Sequence, residues 1–168
     1  MPLANLSFYN VVLFIHISAA VIAFGVTFAY PLIGIYVTRK EPRMLPTQHR
    51  IQARLGQLLI TPAATVLLVA GIYLGAQGPY KFGSTWIGAG IIIIVVLLGL
   101  GGAFFAPHER RAAQLAERDV AAAPPGGDVV FSAEYDAVAK RIAIVGSAAN
   151  LLILVAIFLM TIKPGSQF

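Results

Sequence analysis

The side chains in this chain whose types could do chemistry are three histidines, His16, His49 and His108, with Glu109 beside the last, together with Met160 and Asn150. Imidazole, thioether and carboxylate are ligands for haem iron, copper or another metal, and a histidine can also carry a proton. The chain has no cysteine, so disulfides, thiolate metal sites and thiol chemistry are excluded. His16 stands in NVVLFIHISAAVIAFGVTFAY, residues 10–30, and the first charged side chain is Arg39. An imidazole in that setting is a ligand, a proton carrier or a packing residue, and the elements around it must decide which.

Those elements are set by composition. Of 168 residues, 58% are hydrophobic and only 11% charged, whereas a soluble domain carries about a quarter charged residues. Four runs, 7–38, 55–80, 82–107 and 142–162, contain no Asp, Glu, Lys or Arg. A bilayer core takes roughly 20 apolar residues per helix, and backbone groups in hydrocarbon must be paired internally. The expected fold class is therefore all-α: a polytopic membrane protein, a single four-helix transmembrane bundle with spans of about 7–37, 55–76, 84–106 and 141–162. Continuous stretches such as IIIIVVLLGLGG do not alternate as barrel strands would.

Charge sets the expected orientation. The connections 38–54 and 107–140, with Arg141 at the edge of the second, hold Arg39, Lys40, Arg43, Arg50, Arg54, Arg110, Arg111, Arg118, Lys140 and Arg141, against only Lys81 and Lys163 elsewhere. The positive-inside rule makes both connections cytoplasmic and puts both termini outside. The net charge of +5 arises in this way, and with no basic cluster on a soluble fold nucleic acid is not expected as a partner. No positive segment precedes the first apolar run, which is also too long for the core of a cleavable signal peptide. Phe8, Tyr9, Tyr80, Phe82 and Trp86 supply an outer aromatic belt.

Local signals refine the map. Pro42 and Pro46 break the chain after the first span, and Thr47 is the expected N-cap of a helix running through His49 and Arg54. HERRAAQLAERD continues the third helix briefly, PPGG at 124–127 stops it, and Ser132 ahead of Glu134 and Asp136 starts the fourth. Pro31 and Pro62 should bend their spans. Rows of small residues (Ala19, Ala23 and Thr27; Ala143 and Ser147; Gly146 and Asn150) predict close helix packing, with Asn150 bonding across helices.

Depth then sorts the candidate ligands. Eight residues from Phe8 put His16 about 12 Å into the membrane, where burial favours the neutral imidazole. Met160 is the only methionine on the same side, whereas His49 and His108 fall at the opposite face. His16 and Met160 are thus the candidate cofactor ligands. Three outcomes stay open: a five-coordinate haem, a His–Met site, or no cofactor with His16 bonded to a neighbouring helix. His49, His108 and Glu109 form a second candidate set for a divalent metal, if their helix ends converge; otherwise they are solvated among the arginines.

FIHISAAVIAFG at 14–25, ITPAATVLLVAGIYL at 60–74 and STWIGAGI at 84–91 together resemble a bacterial superfamily of four-helix membrane proteins. It includes the HemJ-type protoporphyrinogen oxidases, the CopD copper-resistance proteins and predicted integral membrane proteins of unknown function. The resemblance rests on His16, Pro62 with Gly71, and Trp86. It implies a haem b- or copper-associated role with His16 as ligand. HemJ-type enzymes follow the tryptophan with a lysine, and here Trp86 leads into IGAGIIII, so the uncharacterised branch fits best and no enzyme activity is assigned.

The expected protein is a multi-pass protein of the bacterial inner membrane, a haem- or metal-associated redox component acting alone, as a homo-oligomer or as a subunit of a membrane complex. The alternative is a structural or assembly subunit without cofactor. The absence of Asp, Glu, Lys and Arg from the four apolar runs argues against a small transporter.

Overall fold

A computed structural model describes residues 7–165. Four helices are long and apolar enough to cross a membrane: Phe8–Lys40, Pro42–Gln77, Thr85–Ala122 and Ala133–Ile162. They are called here the first to fourth helices. No strand occurs among the described residues. Large apolar side chains such as Phe14, Leu32, Leu58 and Ile92 are exposed on the outside of the bundle, a surface that lipid solvates and water does not.

The second and third helices reach well beyond their apolar runs, so most of the basic connections is helical. The first connection is reduced to a tight turn at Glu41. Thr47 is not a cap: the helical segment Leu45–Leu55 starts earlier, with Met44 at the N-cap position and no side-chain cap. Pro42 and Pro46 sit in first turns, where a missing N–H costs no hydrogen bond, so they start helix here instead of breaking it. The third helix runs to Ala122, and a turn at Pro124–Gly127 follows, with Gly126 at φ +74°, a conformation that suits glycine. Arg43 pins that turn by donating to the carbonyls of Pro124 (2.7 Å) and Gly127 (2.9 Å). The fourth helix starts as expected, with the Ser132 hydroxyl accepting from the Tyr135 N–H. Asp119 holds that hydroxyl and the Ser132 N–H in turn.

Three prolines within or at the ends of the apolar runs share one solution. A proline in mid-helix loses its own N–H and clashes with the carbonyl four residues back. In each case that carbonyl lies in a non-α stretch. A 3₁₀ turn at Gly25–Phe28 precedes Pro31, a π-helical stretch at Gly56–Ile60 precedes Pro62, and another at Leu100–Phe105 precedes Pro107. The two π stretches lie against one another.

Two cores hold the bundle. In the apolar region Ala19 and Ala23 pack on Ala64, Leu67 and Ile94, so the small-residue row of the first helix does bring backbones together. At the end carrying the basic connections, here the basic end, Val37 and Leu45 pack with Ala112, Leu115, Ala116 and Tyr135. The corresponding row of the fourth helix behaves differently. Ala143 and Ser147 stay exposed and face a cavity, because the first and fourth helices are splayed apart there. They are bridged by side chains at one level, where Thr27 donates to the Asn150 Oδ1 (3.0 Å) and the Asn150 amide to the Thr27 carbonyl (3.4 Å). Asn150 is the interhelical bond its position predicts.

Candidate functional site

The stripe Leu45–His49–Ala53 faces the third helix, and the stripe Glu109–Ala112–Ala113–Ala116 faces back. Alanines on the second stripe let the two helices approach closely enough for His49 and Glu109 to meet. Nδ1 of His49 lies 2.6 Å from the Glu109 carboxylate, and Nε2 lies 3.1 Å from the Tyr135 hydroxyl. All three residues are buried, with exposures of 6%, 5% and 5%. The arrangement is satisfied when Nδ1–H donates to the carboxylate and the phenol donates to Nε2, a neutral imidazole between a buried anion and a hydroxyl. Protonating His49 would reverse the phenol's role from donor to acceptor without moving any heavy atom. The three groups form a short hydrogen-bonded chain, and Tyr135 is placed in it by the Ser132 cap three residues earlier.

This chain walls the basic end of a cavity of about 590 Å³ lined by all four helices. Phe24, Ala64, Leu98 and Ile153 make its apolar floor, deep in the bundle. The π stretches contribute Gly56, Gln57, Ile60, Gly101 and Phe105. Ile35, Ala143 and Ser147 line it and remain exposed, which leaves it open between the first and fourth helices. Two buried polar oxygens on lining residues have no hydrogen-bond partner, the Tyr30 hydroxyl and Gln48 Oε1. An orphaned buried polar atom is rare and asks for an explanation.

The other sequence candidates lie apart from this cavity. His16 is partly buried against the second helix. Its Nδ1 is 3.0 Å from the Leu67 carbonyl, and its ring rests where Gly71 has no side chain; a Cβ there would be 2.9 Å from the ring. Met160 packs against Gly90 of the third helix. Neither His16 nor Met160 lines the cavity. Of the second set, His49 and Glu109 are brought together, while His108 turns its Nδ1 to the Phe104 carbonyl (2.8 Å) and stacks on the Phe104 ring. Among the described residues no group of three or more His, Cys, Asp or Glu side chains is placed to hold a metal ion.

The sequence left His49 and His108 either as metal ligands with Glu109 or as solvated groups among the arginines, and it did not mark Tyr30, Gln48 or Tyr135. The signal for His49 was its place on the Leu45–Ala53 stripe, a buried face of period four. Tyr30 and Tyr135 carried no comparable mark, since one reads as an aromatic in an apolar run and the other as a core residue.

Four apolar helices around a cavity closed at one end by buried polar groups define an α-helical, multi-pass integral membrane protein. The chain belongs to the family of predicted integral membrane proteins DUF2269, whose model matches residues 10–164. No curated protein and no solved structure matches it.

Proposed function

We propose that this membrane protein binds a lipid-soluble small molecule in the central cavity, with an apolar body on the Phe24–Ala64–Ile153 floor and a hydrogen-bonding head at the basic end. The observation that carries this reading is the pair of buried, unpartnered oxygens, Tyr30 Oη and Gln48 Oε1, on residues that line a cavity of about 590 Å³. A carbonyl or hydroxyl head, as on a quinone ring, would accept from Tyr30 or donate to Gln48. His49, held between Glu109 and Tyr135, lines the same cavity. The lateral opening between the first and fourth helices suits entry from the bilayer. Mass spectrometry of organic extracts of protein purified in mild detergent tests the reading. A bound compound at near-stoichiometric yield, reduced several-fold in Tyr30→Phe, is expected. Wild type and Tyr30→Phe extracts with identical, empty profiles would overturn it.

A second reading rests on one bond. With Nδ1–H of His16 donated to the Leu67 carbonyl, Nε2 keeps its lone pair, and metal-bound imidazoles are commonly oriented by such a carbonyl. On this reading the protein is a haem b- or copper-associated redox component of the bacterial inner membrane, alone or within a membrane complex. His16 is then the ligand and Met160 the candidate for a second position; the group would supply one-electron transfer. Protein expressed with ample haem and copper should show a Soret band or bound copper that His16→Ala removes. Colourless, metal-free protein under those conditions overturns it.

The ten-to-two division of basic side chains supports both termini lying outside the cytoplasm.

A further inference from the structure

A second, smaller cavity of about 230 Å³ lies at the basic end, lined by Arg50, Ala53, Arg54, Gln57 and Arg110. Three arginines therefore border one concavity. Arg50 is partly engaged, donating to the Pro46 carbonyl (3.2 Å) and to Glu117 (3.3 Å). Arg54 and Arg110 make no hydrogen bond or ion pair among the described residues. The neighbouring carboxylate Glu109 is buried and turned to His49, so Glu117 alone among the paired acids answers this charge. Two of the three arginines are therefore left without a counter-charge of their own beside this concavity.

Position along the helices says which anion. Arg54 immediately precedes the apolar run 55–80, and Arg110 follows the end of the run 82–107 by three residues. Both guanidiniums therefore lie at the level of lipid phosphates. One turn along the face of Arg54, Leu58 is 78% exposed and offers an apolar surface on the membrane side of the cavity. We propose that Arg50, Arg54 and Arg110 form a binding site for the phosphodiester headgroup of an anionic bilayer lipid, clamped by bidentate guanidinium–phosphate bonds. The planar donor forks of arginine fit phosphate oxygens in pairs, and basic pockets beside membrane helices recognise such headgroups. The site adjoins the central cavity, with which it shares Ala53 and Gln57, but none of the three arginines lines that cavity.

The test uses the full chain in nanodiscs or mild detergent, with phosphatidylglycerol, phosphatidylcholine and inorganic phosphate as probes. Native mass spectrometry should show phosphatidylglycerol retained over phosphatidylcholine. Arg54→Gln with Arg110→Gln should weaken that retention about 25-fold, at roughly a factor of five for each basic residue near the surface. Lys40→Gln with Arg141→Gln removes the same charge at the same end outside the cavity and should weaken it less than threefold. All four substituted side chains are exposed, so both variants should fold, and gel filtration checks this. Equal losses in the two variants would reduce the effect to diffuse charge and overturn the proposal. So would equal retention of the two lipids, or inorganic phosphate stabilising lipid-free protein as strongly as phosphatidylglycerol does, which would mark a free-anion site.

Discussion

Removing one member of the buried His49–Glu109–Tyr135 chain at a time should produce losses of stability in a fixed order. Glu109→Gln keeps an oxygen that can accept from Nδ1–H and loses only the charge assistance of a 2.6 Å bond. Hydrogen bonds to charged groups are worth about 1 kcal/mol more than neutral ones, so the cost is about 1 kcal/mol. Tyr135→Phe keeps the ring packed on Phe131, at a centroid separation of 4.7 Å. It strands Nε2 of His49 without its phenol, a cost of about 1–3 kcal/mol for a buried unsatisfied group. Glu109→Leu leaves the 6%-exposed imidazole without its anion, and breaking a buried pair on one side costs about 3–5 kcal/mol. The double variant His49→Leu/Glu109→Leu removes both polar groups from the same space. It should recover most of the loss, because buried pairs are often replaced by apolar residues without net cost. Reversible unfolding in mixed detergent micelles, followed by circular dichroism, gives the four values. Glu109→Leu within about 0.5 kcal/mol of wild type, or a double variant worse than Glu109→Leu, would refute a buried and mutually satisfied chain.

Asn150→Leu should cost about 0.6–1.7 kcal/mol through its bonds to Thr27, and Thr27→Val in the same background should add little; fully additive losses in a double-mutant cycle would contradict the bridge. Gly71→Ala should cost about 1–3 kcal/mol by overpacking, because its Cβ would press on a His16 ring held by the Leu67 carbonyl. Gly90→Ala should cost under about 1 kcal/mol, since it meets only the flexible end of Met160; thermal melts that reverse this ranking would show that His16 is the more mobile of the two. A cysteine at Lys81 should react with an impermeant maleimide in intact cells and one at Arg43 or Gln114 only after lysis; the opposite pattern would invert the proposed orientation.

The four spans were legible because an uncharged run of twenty-odd residues has few alternatives in a chain with 11% charged residues. Ser132 as a cap and Asn150 as an interhelical bond were legible for the same kind of reason: each residue type has one common use at its position. The extensions of the second and third helices were legible in outline, since Arg50, Glu117 and Arg118 fall in stretches expected to be helical; they lie on the outer faces of helices whose inner faces are alanine and leucine. The pairing of His49 with Glu109 entered only as part of a conditional metal set. They are 60 residues apart, and nothing local in either helix says which rotation about its axis faces the other. Depth did remove His16 from the His49 set, since that argument needs only the rise of a helix.

The prolines join these strands of the argument, because the cavity owes its shape to them. A straight four-helix bundle of alanines and glycines at this depth would close on itself, as Ala19, Ala23 and Ala64 do one turn or more away. Pro62 and Pro107 prevent that by enforcing π stretches at one level of two neighbouring helices. A π turn carries an extra residue and widens the helix, turning the residues beyond it to a new face. Thr61 shows how the arrangement is stabilised, since both its N–H and its hydroxyl bond back five residues to the Gly56 carbonyl, the hydroxyl at 2.8 Å. On the basic side of these stretches the second and third helices turn Leu45, His49 and Ala53 toward Glu109, Ala112 and Ala116. On the other side the second helix turns Ala64 and Leu67 toward the first. The second helix thus changes partners at the π stretch, and the space left at the change is the cavity. Replacing Pro62 and Pro107 by alanine removes the clash that enforces the π turns. If the α-form is then restored, His49 and Glu109 rotate out of register. The double variant should lose most of the stability assigned to their pair, even though it touches neither residue. If Glu109→Leu costs as much in that background as in wild type, the prolines do not set the register.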